Sequence, residues 1–141
     1  MKQEFAPYDR ALKLKQLGFN EPCVAFYQIE YHEGSPIMVD DDSQYRISGF
    51  RTCKNSEIPA HYMAAPTFSQ AFRWFREEYN QHSFIELVFE DEIRFDYVLY
   101  VNEDEDDCID YGDGPFETYE DAELALLDKL IEIAEGIKSK K

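Results

Sequence analysis

The densest run of chemistry-bearing side chains is Asn102-Glu103-Asp104-Glu105-Asp106-Asp107-Cys108-Ile109-Asp110-Tyr111-Gly112-Asp113. As a calcium loop it would place oxygen ligands at loop positions 1, 3, 5, 9 and 12, with Ile109 at position 8. Three features disagree with that chemistry. Asp107 stands where the sharp turn requires Gly, Asp113 is shorter than the usual bidentate Glu, and the preceding segment reads as strand. The expectation is a solvated acidic loop over 102–115, with Asp104, Asp106 and Asp110 only a weak set for a divalent cation. No resident metal or cofactor is expected.

Nucleophilic and transition-metal chemistry finds less support. His32, His61 and His82 are far apart, and no Cys-x-x-Cys pair occurs among Cys23, Cys53 and Cys108. An odd number of cysteines without such a pair points to free thiols in a reducing cytosol. Cys23 opens an apolar strand and should be buried and inert, whereas Cys108 in the acidic loop should be accessible. No P-loop, Gly-x-Gly-x-x-Gly, Gly-x-Ser-x-Gly or His-Glu-x-x-His motif is present. The residues therefore point to a non-enzymatic protein.

Trp74 is the remaining candidate for recognition. It lies about 120° around the helical wheel from Phe68, off the apolar stripe, and Arg73 and Glu77 flank it. That composition suits an exposed interface anchor, with Arg73 beside it. The competing reading is a Trp packed in the interior.

Charge ranks the possible partners. The chain has 141 residues, 30 Asp and Glu against 14 Lys and Arg, and a net charge of −16. Residues 1–85 hold eleven acids and nine bases, whereas residues 86–141 hold nineteen acids and five bases. Direct binding to a nucleic-acid backbone needs the opposite sign, because Lys and Arg must replace condensed counterions. An anionic membrane is disfavoured for the same reason. No apolar run reaches membrane-span length, and Met1-Lys2-Gln3-Glu4 opens no signal-peptide core. A protein with a basic surface is the expected partner, met by Asp121, Asp128, Glu132 and Glu135 on one side of the last helix. Oligomeric state is left open.

Three helices and several strands must position these groups. The first helix is expected over Pro7–Leu17, with Pro7 in the first turn and Gly18 as a left-handed stop. Cys23–Tyr31 alternates as a strand that buries Ala25, Tyr27, Ile29 and Tyr31. Ile37-Met38-Val39 and Tyr45-Arg46-Ile47 read as a hairpin across residues 40–43, and 49–65 as an irregular connection. The second helix, 68–80, opens with a Thr67–Gln70 capping box and carries Phe68, Ala71, Phe72, Phe75 and Tyr79 on one stripe. Residues 84–89 and 93–101 form a hairpin turning at Glu90-Asp91-Glu92. The last helix opens at Thr118, presents Leu124, Leu126, Leu127, Leu130, Ile131 and Ile133, and stops at Gly136 before a flexible basic tail over 137–141.

This order predicts a single α+β domain over 1–141, a small antiparallel sheet with about three helices mainly on one face. Eleven Phe, ten Tyr and one Trp supply its core.

Three stretches also carry a resemblance: YDRALKLKQLGFNEPC from Tyr8 to Cys23, APTFSQAFRWFRE from Ala65 to Glu77, and TYEDAE from Thr118 to Glu123. Together they resemble a family of small uncharacterised proteins encoded by Bacteroidetes phages and prophages. The resemblance implies a phage accessory gene acting in the bacterial host cytoplasm, and it implies no mechanism. The leading expectation is a non-enzymatic binding module that works through an acidic surface. The alternatives are an acidic mimic of nucleic acid that inhibits a host defence or transcription protein, and a small enzyme of unknown chemistry.

Overall fold

The computed structural model describes residues 4–30, 34–39, 46–47, 50–103, 106–112 and 114–139. The fold class is α+β, as expected, and the chain divides into two compact units, Met1–Gln70 and Ala71–Lys141. The strands do not form one sheet. They make two three-stranded antiparallel sheets and one two-stranded ladder.

The first unit starts with α1 (Tyr8–Leu17), which has Pro7 at its N-cap. Gly18 at φ 102° ends it: the Gly18 N–H donates to the Lys15 carbonyl and the Phe19 N–H to the Leu14 carbonyl. This is the Schellman pair of bonds, and glycine is needed because a side chain strains that left-handed backbone. The buried face of α1 is Tyr8, Ala11, Leu14 and Leu17.

Strand β1 (Ala25–Gln28) is the centre of its sheet, between β2 (Ile37–Met38) and β5 (Tyr62–Ala64). Ala25 and Tyr27 are buried, as the alternation predicts, and they pack in one cluster with Phe5, Tyr8, Ala11, Met63 and Ala65. Two tyrosine hydroxyls tie the cluster to the backbone. Tyr8 donates to the Ile29 carbonyl at 2.6 Å and Tyr27 to the Ala6 carbonyl at 2.7 Å. Buried phenols need such partners, because an unbonded hydroxyl costs about 1–3 kcal/mol. The strand is shorter than expected, since Ile29 and Glu30 form a turn; Tyr31 lies outside the described residues.

Two expectations for the middle of this unit are corrected. Ile37–Met38 does not pair with Arg46–Ile47 but adds to the edge of β1, in the register Ala25↔Met38 and Phe26↔Ile37. Arg46–Ile47 is β3 and pairs instead with β4 (Phe50–Arg51). On β1, Ile37–Met38 joins a three-stranded sheet, which a lone two-stranded pairing would not give it. Residues 40–45 lie outside the described residues. Within 49–65, expected as irregular, β4 and β5 appear, and Cys53 forms an isolated bridge with Cys23.

The helix α2 (Phe68–Tyr79) carries the capping box as expected. The Gln70 N–H donates to Thr67 Oγ1 at 3.2 Å, and the Thr67 N–H donates to Gln70 Oε1 at 3.1 Å. Asn80 at φ 53° then turns the chain directly into the next strand. Asn tolerates that left-handed conformation better than most residues.

The second unit is a meander with a helix on it. Strands β6 (Gln81–Phe89), β7 (Ile93–Glu103) and β8 (Asp106–Tyr111) lie in the order β6-β7-β8, all antiparallel. The turn at residues 90–92 is where the sequence places it. Helix α3 (Tyr119–Ser139) packs across β6 and β7 and buries Ala122, Leu126, Leu127, Leu130, Ile131 and Ala134. Tyr97, Leu99 and Val101 are the buried face of β7. Thr118 Oγ1 accepts the Asp121 N–H at 3.0 Å, which caps α3 as expected.

Two further expectations fail here. The acidic stretch is not a loop: Asn102 and Glu103 continue β7, and Asp106–Tyr111 pairs back along it. Gly136 does not end α3, and Lys138 belongs to the helix rather than to a flexible tail. One glycine costs a helix only about 1 kcal/mol, and the half-buried Ile133 and Ile137 hold the last turn in register. Among the described residues no helix is long and apolar enough to cross a membrane.

Candidate functional site

Trp74 is corrected first. Its side chain is only 5% exposed, so it is not a surface anchor. Its ring meets Phe75 at 5.1 Å and Tyr79 at 5.5 Å, both edge to face, the T-shaped arrangement that the ring quadrupoles favour. The wheel places Trp74 off a stripe drawn for one packing direction, but α2 buries a wider arc than that stripe. Arg73 beside it is exposed.

The four acids of α3 are seven, four and three residues apart and so share one side of the helix. Asp121, Glu132 and Glu135 are exposed, and Asp128 is half-buried. Lys129 stands among them, 3.8 Å from Asp110 Oδ2 and 3.8 Å from Glu132 Oε2. Partly exposed ion pairs of this length contribute about 0–1 kcal/mol. Burial, and then the nearby Glu120 carboxylate, push the Glu123 carboxyl above its ordinary pKa.

The metal reading loses its geometry. Asp106 and Asp110 lie on β8, where Asp106 pairs with Glu103 and Asp110 with Leu99, so these two stand in a strand and not in the loop expected. Asp104 lies outside the described residues. Asp110 is instead drawn to Lys129. Among the described residues, no group of three or more His, Cys, Asp or Glu side chains could hold a metal ion. Cys108 is on β8 opposite Val101 rather than in a loop.

The other thiols face the interior. Cys23 and Cys53 exchange both backbone hydrogen bonds at 2.8 Å, and their thiols donate to the Glu21 and Ala25 carbonyls. Burial pushes the Cys23 thiol far up, with further contributions from Cys53 and Glu21; burial and then Glu57 push Cys53 up to about 11. Both are buried, as expected for Cys23, and these shifts disfavour the thiolate, which is the nucleophile. The same shifts set an alkaline limit. Both thiols hold their protons more tightly folded than unfolded, so stability is fully present below the ordinary thiol pKa of 9.0 and falls as pH rises past it. Urea melts between pH 7 and 11 should show that decline, with a shallower slope in Cys53→Ala; an unchanged slope would contradict the assignment.

His61 is exposed and stacks on Tyr62, while the exposed His82 ring nitrogen lies 2.9 Å from Asn80 Oδ1. His32 lies outside the described residues. Gln81 is the odd polar group. Its side chain is fully buried, and neither Nε2 nor Oε1 has a protein hydrogen-bond partner among the described residues. Replacing such an amide by a similarly shaped apolar side chain removes a desolvation cost of about 1–3 kcal/mol. Gln81→Leu should therefore raise the melting temperature by several degrees. A lower melting temperature would show that the amide is satisfied in solution.

The feature that sequence reasoning missed is the surface of the second sheet. Leu87 (61% exposed), Phe89 (72%) and Ile93 (57%) share one face at the β6–β7 turn, and Phe84 (59%) and Tyr111 (64%) lie on the other. Glu90, Asp91 and Glu92 cap this end, all exposed. With Val88, Arg94 and Pro115 they line an open cleft of about 420 Å³. Arg94 is engaged by Glu92 at 3.1 Å and Glu117 at 3.5 Å. The cleft holds no nucleophile and no histidine. The signal in the sequence was FIELVF, which is apolar on both faces, at Phe84 and Val88 as well as at Ile85, Leu87 and Phe89.

No family model, no curated protein and no solved structure matches this chain.

Proposed function

We propose that the protein is a non-enzymatic binding module that captures a protein with a basic surface through its acidic second half. One observation carries this reading: exposed apolar side chains at the β6–β7 end are bordered by exposed carboxylates of the turn, while more carboxylates line α3. Apolar area supplies affinity, and the surrounding charge supplies steering and selects a cationic partner. Lys129 interrupts the acidic side of α3 and pairs with Glu132 of that helix and with Asp110 of β8. That interruption favours a protein partner over mimicry of an evenly spaced phosphate chain. The resemblance to Bacteroidetes phage and prophage proteins makes the host cytoplasm the proposed setting.

Affinity capture from Bacteroidetes lysate, at low and high salt, tests this. The expected result is a basic protein held at low salt and released at high salt. Retention that ignores salt, or no retention, would remove the reading.

A further inference from the structure

Among the described residues, the backbone of β6 pairs with a strand on one side only. Phe95 exchanges both hydrogen bonds with Phe116, and the Tyr97 carbonyl accepts from the Gly112 N–H. The odd-numbered residues of β7 therefore direct their backbone groups away from β6, and the even-numbered ones bond to it. In the register Phe84↔Val98, Glu86↔Asp96 and Val88↔Arg94, it is Phe84, Glu86 and Val88 that bond to β7. Ser83, Ile85, Leu87 and Phe89 consequently present their N–H and C=O groups outward. β6 is an edge of its sheet, and these groups have no strand partner among the described residues.

An edge of nine residues is long, and this one has few of the usual protections. It contains no proline and no lysine, and its one acidic residue is Glu86. The opposite edge, β8, carries Asp106, Asp107 and Asp110 in six residues. Leu87 and Phe89 are exposed on one face of β6, while Glu86 stands on the other, between Phe84 and Val88, with no ion-pair partner among the described residues. The exposed Glu90, Asp91 and Glu92 continue the acidic side beyond the strand.

From this arrangement we infer that the outer edge of β6 accepts an extended segment of a partner protein in which apolar residues alternate with Lys or Arg. This deepens the binding-module reading and rests on it. Backbone pairing along the edge gives affinity, and the alternating pockets give specificity. The apolar side chains of the segment cover Leu87 and Phe89, and its cations reach Glu86 and the turn carboxylates. A second copy of this chain is the poorer occupant, because each copy carries a charge of −16.

The probe is a blocked peptide of alternating Lys and Val, about eight residues long, within the usual strand range, titrated into the isotope-labelled full chain. The amides of Ser83, Ile85, Leu87 and Phe89 should shift and become protected from solvent exchange. Leu87→Pro deletes an outward N–H and leaves the bonds to β7 in place, so it should weaken binding roughly tenfold. The same peptide N-methylated at alternate residues should fail to bind the unmodified chain, a result that does not depend on how the proline variant folds. Equal binding of the methylated peptide would overturn the inference. Shifts confined to α3 would overturn it and leave the acidic-surface reading standing, whereas no shifts at all would remove both. Concentration-dependent protection of β6 without peptide would assign the edge to a second copy and also overturn the proposal.

Discussion

Trp74→Ala is expected to lower the melting temperature by about 10 °C or more, a loss of roughly 3–5 kcal/mol. The side chain is almost fully buried and meets two other rings of α2, Phe75 and Tyr79. Truncation removes a large apolar transfer energy, leaves a cavity and takes away both edge-to-face contacts. Thermal melts followed by circular dichroism give the answer directly. Binding should fall only to the extent that the folded fraction falls, so the affinity of the remaining folded protein should be unchanged at low temperature. A variant that melts normally and loses its partner through faster dissociation would return Trp74 to the surface. Arg73→Ala, one position away and exposed, should leave the melt within about 0.5 kcal/mol of the parent.

Neutralising Asp121, Asp128, Glu132 and Glu135 together, to Asn and Gln, should have the opposite signature. These side chains lie away from the buried residues of α3, Leu126, Leu127, Leu130 and Ile131, so the fold should survive. Like charges one turn apart repel by a few tenths of a kcal/mol per pair, so the melting temperature should stay level or rise slightly. Association with the captured basic partner should slow by about tenfold or more at low ionic strength. That difference should shrink as salt is added, because the Debye length falls to about 8 Å at physiological ionic strength. Stopped-flow association rates across a salt series test both parts. An on-rate unaffected by the four changes would move recognition away from α3 and toward the β6 edge.

The contrast between these variants follows from how each residue reached its place. Gly18, the Thr67–Gln70 pair and Thr118 act within one turn of the chain, and their local bonds need no information from elsewhere. The apolar alternation of Ala25 and Tyr27, the hairpin turn at residues 90–92 and the arc of leucines on α3 are likewise local patterns with one sensible solution. These were legible in the residues alone, together with the α+β class.

Tertiary structure decided what local pattern leaves open. Ile37–Met38 was expected as a strand, but distant contacts gave it the edge of β1 as partner, and Tyr62–Ala64 is too short for periodicity to mark, so only the other edge of β1 makes it a strand. Asp106–Tyr111 reads as a solvated loop because charge lowers strand propensity, yet the free side of β7 provides a ladder that outweighs that preference. Trp74 was ambiguous because a helical wheel assumes one packing direction, and burial depends on how many surfaces the helix meets. The exposed edge of β6 was invisible for the same reason. Ile85, Leu87 and Phe89 read as one apolar face of an ordinary hairpin strand over 84–89, and only the pairing order β6-β7-β8 leaves its outward backbone groups without a strand partner among the described residues. Sequence marked 84–89 as a strand with an apolar face; strand order, a property of distant contacts, determined that it is an edge of its sheet.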